Sequence, residues 1–247
     1  MKNMFALRET KAAESAFEYI HRFGKSEKHI CRTDGIGHAT PDGRDLTELR
    51  IDTHLGFVPL WAKGVTLRWR FQATSMAVFQ DPDAAKKGIR SLLGAALTGW
   101  GDAQPVAFSE QRDNVDFEIV VRANADCDAS GCVLASSFFP DNGRHEFVIY
   151  PTFFQQSKIE QIETLEHEFG HVFGLRHWFA NISEQDWPSG LFGSGSKFTI
   201  MNYGDNSKLT KRDKSDLKAL YAGAWSGAFT AINGTPVRFQ QPYHTHL

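Results

Sequence analysis

Long apolar runs are what this chain most plainly lacks. None approaches the ~20 residues that cross a bilayer as a helix, so no membrane span is expected. A dominant charge is missing too: 27 Lys and Arg stand against 29 Asp and Glu. The resulting net charge of -2 gives no electrostatic reason to expect nucleic acid or an anionic membrane as a partner. Internal repeats and low-complexity tracts are absent, which excludes solenoids and compositionally biased tails. Residues 1–22 begin apolar, but Arg8, Glu9, Lys11 and Glu14 break any hydrophobic core, so they do not read as a signal peptide. They read instead as a helix with Phe5, Ala12, Ala16, Phe17 and Ile20 on a partly apolar face. Cysteine is sparse. Of three in 247 residues, Cys127 and Cys132 enclose a short polar turn and are expected to form a disulfide in an oxidising compartment.

What remains is the composition of an ordinary globular protein, with 41% hydrophobic and 23% charged residues and length enough for a substantial core. Residues 24–47, rich in Gly, Asp, Thr and Pro, read mostly as loop. Strands are expected at 46–51 and 65–71. In the second, Val65, Leu67, Trp69 and Phe71 alternate with Thr66, Arg68 and Arg70. Asp81 is a predicted N-cap before Pro82, opening a helix to about Thr98 that buries Ile89, Leu92, Leu93 and Leu97. Further strands follow at 106–110, 115–121, 133–140 and 146–150, with Asn142-Gly143 as a hairpin turn between the last two. Ser157 and Glu160 form a capping-box pattern ahead of a helix over 158–173, with Ile159, Ile162, Leu165 and Phe169 toward the core. Thr210 and Asp213 repeat that pattern before a helix ending near Tyr221, with Leu217, Leu220 and Tyr221 on its buried face.

The chemistry concentrates in HEFGHVFGLRH, residues 167–177. Side chains four apart on a helix share one face, so His167 and His171 can hold one metal ion while Glu168 stands beside it. His177 cannot join them on a continuing helix. Gly174 is where the chain can turn, since glycine accepts positive φ just past a helix end. Three neutral histidines leave the fourth position of a tetrahedral zinc open to water, the mark of a catalytic rather than a structural site. A thiolate at Cys31 could fill that position and hold an enzyme latent; the plainer reading, which we favour, is a cysteine with no metal role.

Residues 199–204, TIMNYG, complete a pattern. The zinc motif with this later methionine resembles the metzincin clan of zinc endopeptidases, in which a methionine turn lies beneath the metal. The order of parts from about Trp61 to Tyr221, including LASSFFP at 134–140, is most similar to the matrixin (matrix metalloprotease-like) group. Tyr203 is an astacin- and serralysin-like feature, and Trp178 stands where matrixins usually carry serine. The resemblance implies an α+β, zincin-like fold. Its twisted mixed sheet would carry two long helices above the cleft, over a small, mostly irregular or helical lower subdomain. The implied catalytic domain is 61–222, divided at 174, with an N-terminal extension or pro-segment at 1–60 and a C-terminal tail at 223–247.

The function so implied is peptide-bond hydrolysis with one catalytic Zn2+. His167, His171 and His177 would be ligands, Glu168 the general base, Tyr203 an oxyanion partner and Met201 the floor of the site. Leu134, Ala135, Ser136, Ser137 and Phe138 would form the edge strand on which a protein or peptide substrate lies. His145 is the one ligand-type residue near a matrixin's second zinc, so that ion is not expected, and nothing in the sequence supports calcium. Two other readings are a catalytically idle zinc-fold binding module and an intracellular effector protease with one narrow substrate. The cysteine pair and the sequons at Asn181 and Asn233 favour export, and a monomer is the default.

Overall fold

The computed structural model describes residues 4–5, 29–30, 49–52, 56–128, 131–176, 189–192, 199–201 and 208–247. In chain order the strands are β1 (His29–Ile30), β2 (Leu49–Asp52), β3 (Val58–Trp61), β4 (Thr66–Phe71), β5 (Ala107–Glu110), β6 (Phe117–Val121), β7 (Cys127–Asp128), β8 (Gly131–Val133), β9 (Ala135–Ser136), β10 (His145–Ile149), β11 (Ser189–Phe192), β12 (Ala231–Ile232) and β13 (Thr235–Gln240). The long helices are α1 (Pro82–Trp100), α2 (Lys158–Val172) and α3 (Lys211–Ser226). The fold is α+β, as expected.

Its main sheet runs β5-β4-β6-β10-β9. The first four strands are parallel and β9 is antiparallel to β10. Parallel neighbours cannot be joined by a tight turn, and α1 supplies the crossover from β4 to β5. The period-2 pattern of β4 and β6 puts Leu67, Phe71, Phe117, Ile119 and Val121 into the core. They meet Ile89, Leu92, Leu93 and Ala96 of α1 and Leu165, Phe169 and Val172 of α2. Asp81 caps α1, its carboxylate accepting from the Ala84 N–H. Phe5 is half-buried and packs its ring against Phe79 and Phe154. Met4 beside it is exposed, and the rest of the expected N-terminal helix lies outside the described residues.

Beyond α3 the chain continues into β12 and β13, and β13 pairs in parallel with β3. The chain end then crosses to the sheet, where the His244 N–H and Nδ1 both contact the buried Asp116 carboxylate, at 2.8 and 2.9 Å. A disulfide joins Cys127 to Cys132 across the β7-β8 hairpin. β1 pairs in parallel with β8, a two-residue strand within the 24–47 stretch expected to be mostly loop. Cys31 lies outside the described residues.

Three expectations are corrected. The strand foreseen over 133–140 is broken: Gly131–Val133 joins β7 and β1, Ala135–Ser136 joins β10, and the chain leaves strand geometry at Ser137. There Ser137 and Phe138 turn into the protein, Phe138 stacking on His145 with ring centroids 4.4 Å apart. Asn142-Gly143 is not a two-residue hairpin, since neither residue has the positive φ a type I′ turn requires. The Asp141 carboxylate accepts from the Gly143 N–H and makes a local Asx turn instead. Ile159 is 68% exposed rather than core-facing. At about 100° per residue it lies roughly 120° around the helix from Leu165, off the buried stripe.

Candidate metal centre

Helix α2 begins with the expected capping box. The Ser157 hydroxyl accepts from the Glu160 N–H, and the Glu160 carboxylate accepts from the Ser157 N–H at 2.7 Å. It ends in a Schellman turn. Gly174, at φ +90°, sends its N–H to the His171 carbonyl at 2.7 Å, and the Leu175 N–H reaches the Gly170 carbonyl at 2.9 Å. This is the turn that the motif required. Between these ends Leu165 to Val172 are all buried. Two indoles grip the helix from outside, Trp100 Nε1 donating to the Glu166 carbonyl and Trp61 Nε1 to that of Val172.

Each histidine is oriented from behind. His167 Nδ1 donates to the Ile200 carbonyl at 2.8 Å and His171 Nδ1 to the Leu175 carbonyl at 2.7 Å. A carbonyl only accepts, so both Nδ1 atoms carry the proton and both Nε2 atoms are left with lone pairs. Those Nε2 atoms converge to 3.2 Å. Two lone pairs facing each other at that distance repel unless a proton or a cation lies between them. Two nitrogens bound to zinc at about 2.0–2.1 Å in a tetrahedral site stand about 3.3–3.4 Å apart, so the pair fits that ion. Among the described residues no third His, Cys, Asp or Glu joins them. His177, expected as the third ligand, and Tyr203 lie outside the described residues.

Glu168 follows His167 directly and is only 1% exposed. The Ser137 hydroxyl stands 2.9 Å from Glu168 Oε2 and 2.9 Å from the Glu168 backbone carbonyl. Met201 is buried below Gly170: a Cβ on that glycine would lie 2.3 Å from the methionine sulfur. The segment is tied to α3, because Thr199 donates to Asp213, the capping carboxylate of that helix, and receives the Met201 N–H at 3.3 Å.

The matrixin family model, one of the peptidase families, matches residues 61–184, just over half of the chain and inclusive of this helix. The chain belongs to the matrixin family. Among curated relatives, mouse stromelysin-3 is 26% identical over 122 residues, which is 44% of this chain and 25% of that protein. Matrix metalloproteinase-18 of Xenopus laevis is 31% identical over 106 residues, 39% of this chain and 23% of that protein. The matched part thus spans about a quarter of these relatives. Among solved structures, myroilysin superposes with a TM-score of 0.43 at 14% identity, covering 66% of this chain and 95% of that one. High choriolytic enzyme 1, a hatching-enzyme zinc protease of medaka (Oryzias latipes), gives 0.42 at 12% identity, covering 66% and 94%. At scores this low the assignment rests on the family match.

In this matrixin the segment 134–138 lies beside the histidine helix. β9 is the last strand of the main sheet, so among the described residues its outer backbone edge has no partner strand. Ala135 and Ser136 pair with Ile149 and Val148, while Leu134, Ser137 and Phe138 are buried. Sequence reasoning missed the two carbonyls that hold the imidazoles, because every residue has one and the pattern marks none. It also missed what the Ser137 side chain meets.

Burial sets the electrostatics around the helix. Glu166, 8% exposed, has its carboxyl pushed up to about 7 by desolvation, reinforced by the charge of Glu163 and eased by Lys214. Burial likewise lowers the His145 imidazole, against the pull of Asp141 and Asp116.

Proposed function

We propose that this matrixin is a zinc-dependent endopeptidase. The observation that carries the reading is the pair of Nε2 atoms 3.2 Å apart, each imidazole fixed through Nδ1, with a buried carboxylate one residue away. His167, His171 and, from the motif, His177 would hold the ion, which when bound supplies Lewis-acid charge that acidifies water and polarises a carbonyl. Glu168 takes the proton from the attacking water and returns it to the leaving amine. The Tyr203 hydroxyl is assigned to the developing oxyanion, and Met201 supports the histidines without being a ligand. The outer edge of β9 receives the substrate as an added strand through main-chain pairing at Ala135 and Ser136, with Leu134, Ser137 and Phe138 packed behind it. Export to an oxidising compartment accords with the Cys127–Cys132 disulfide.

Casein cleavage by the purified full chain, with zinc content measured alongside, tests this. Cleavage abolished by a zinc chelator and restored by stoichiometric zinc is the expected result. A chain that binds zinc and leaves casein and gelatin intact would refute it.

A further inference from the structure

We propose that Ser137 is a positioning residue for Glu168, its hydroxyl fixing the carboxylate on the flank of α2 that bears His167 and His171. This rests on the endopeptidase reading above. The Ser137 Oγ lies 2.9 Å from Glu168 Oε2 and 2.9 Å from the Glu168 carbonyl oxygen. Both residues are buried, Ser137 at 5% and Glu168 at 1% exposure, so water does not readily replace the bond. A hydroxyl has one proton and two lone pairs. With Glu168 ionised, the charge-assisted bond to Oε2 is the stronger of the two options. Both acceptors belong to Glu168, so whichever of them the hydroxyl proton points to, the bond ties Ser137 to that residue. Glutamate has three side-chain torsions to fix, and a general base works only within hydrogen-bond reach of the proton it takes.

Position in the chain strengthens the assignment. Ser137 directly follows Ala135–Ser136, the edge strand on which the substrate is proposed to lie. One short segment would thereby register the scissile bond through its backbone and the base through a side chain. An alternative is that Ser137 merely ties the edge segment to the helix through the Glu168 carbonyl. That role would show in stability and zinc retention but not selectively in kcat.

The test uses the zinc-loaded full chain on labelled casein. Ser137→Ala is expected to lower kcat about 10- to 100-fold, the range of a lost hydrogen bond to a charged group, with KM within about twofold and zinc content unchanged. Ser137→Thr, which keeps the hydroxyl, should restore kcat to within a few-fold. In a Glu168→Gln background, Ser137→Ala should add little to the loss, because the serine acts through the carboxylate. An Ser137→Ala enzyme with wild-type kcat, or one whose deficit tracks lost zinc or a lowered Tm, overturns the proposal while leaving the endopeptidase reading intact. If Glu168→Gln itself leaves casein cleavage unchanged, that reading fails and this one falls with it.

Discussion

Glu166 and Glu168 sit two residues apart on α2, and both are buried, at 8% and 1% exposure. At about 100° per residue they lie roughly 160° apart around the axis, so they face different neighbours. Glu168 meets the Ser137 hydroxyl next to the two histidines. Glu166 is pressed against the end of α1, where a Cβ on Gly99 would stand 1.9 Å from its Oε1. Lys214, whose Nζ donates to the Gly99 carbonyl at 2.9 Å, eases the cost of burial without cancelling it. Desolvation therefore pushes the Glu166 carboxyl up to about 7. Burial is common to both carboxylates. The difference between them lies in what stands near each, a hydroxyl donor in one case and the Gly99 end of α1 with the charge of Glu163 in the other.

The largest break in the comparison should come from removing each charge separately. Glu168→Gln is expected to cut kcat by about 10²- to 10⁴-fold, the typical share of a general base, while leaving zinc content and Tm near wild type. Glu166→Gln should leave kcat within a few-fold. If the two substitutions damage casein cleavage equally, the base has been assigned to the wrong carboxylate or to neither.

The next effect is on stability and has the opposite owner. Glu166 has a folded-state value of about 7 against an ordinary value of 4.5, so the native state holds its proton more tightly than the unfolded chain. Below about pH 4.5 both states are protonated and the group costs nothing. As pH rises toward 7 the unfolded state ionises first, and the native state loses stability across that window. Glu166→Gln should therefore stabilise the protein by about 2–3 kcal/mol at pH 8.5 and by almost nothing at pH 4.5, allowing for solvent screening of a site not wholly dry. Urea unfolding of both proteins at the two pH values measures this. An equal gain at both would mean that ionisation is not the cause.

The same contrast separates what the sequence could declare from what it could not. The histidine pair, the capping boxes at Ser157 and Thr210 and the turn at Gly174 are local, each set by residues within a few positions. They were legible for that reason. Hairpins show the limit of such signals. Asn142-Gly143 carries the type I′ dipeptide yet forms an Asx turn, because Asp141 captures the Gly143 N–H. The same dipeptide at Asn233-Gly234, with φ of +48° and +83°, is the two-residue hairpin joining β12 to β13. Strand pairing runs right up to the second dipeptide, at Ile232 and Thr235, but stops at Ser136 and His145 around the first. Contacts made across long separations had no pattern to announce them: Ile200 to His167, Thr199 to Asp213, His244 to Asp116. The pairing of Ser137 with Glu168 belongs to that class, which is why no pattern in the sequence announced it.

A third glutamate on α2 sharpens the comparison with the smallest expected effect. Glu160 lies at the exposed start of the helix, where its carboxylate caps the Ser157 N–H at 2.7 Å and the serine returns the bond. Its charge stays solvated and faces the positive end of the helix dipole, so it stabilises where Glu166 destabilises. Ser157→Ala should cost about 1 kcal/mol of unfolding free energy, read as a Tm lower by a few degrees. Because the bonds that orient His167 and His171 are made at the other end of α2, kcat should not change. A fall in kcat larger than the fall in folded fraction would mean that fraying at the first turn reaches the histidines. The burial of Leu165 through Val172, gripped by two indoles, argues that it does not.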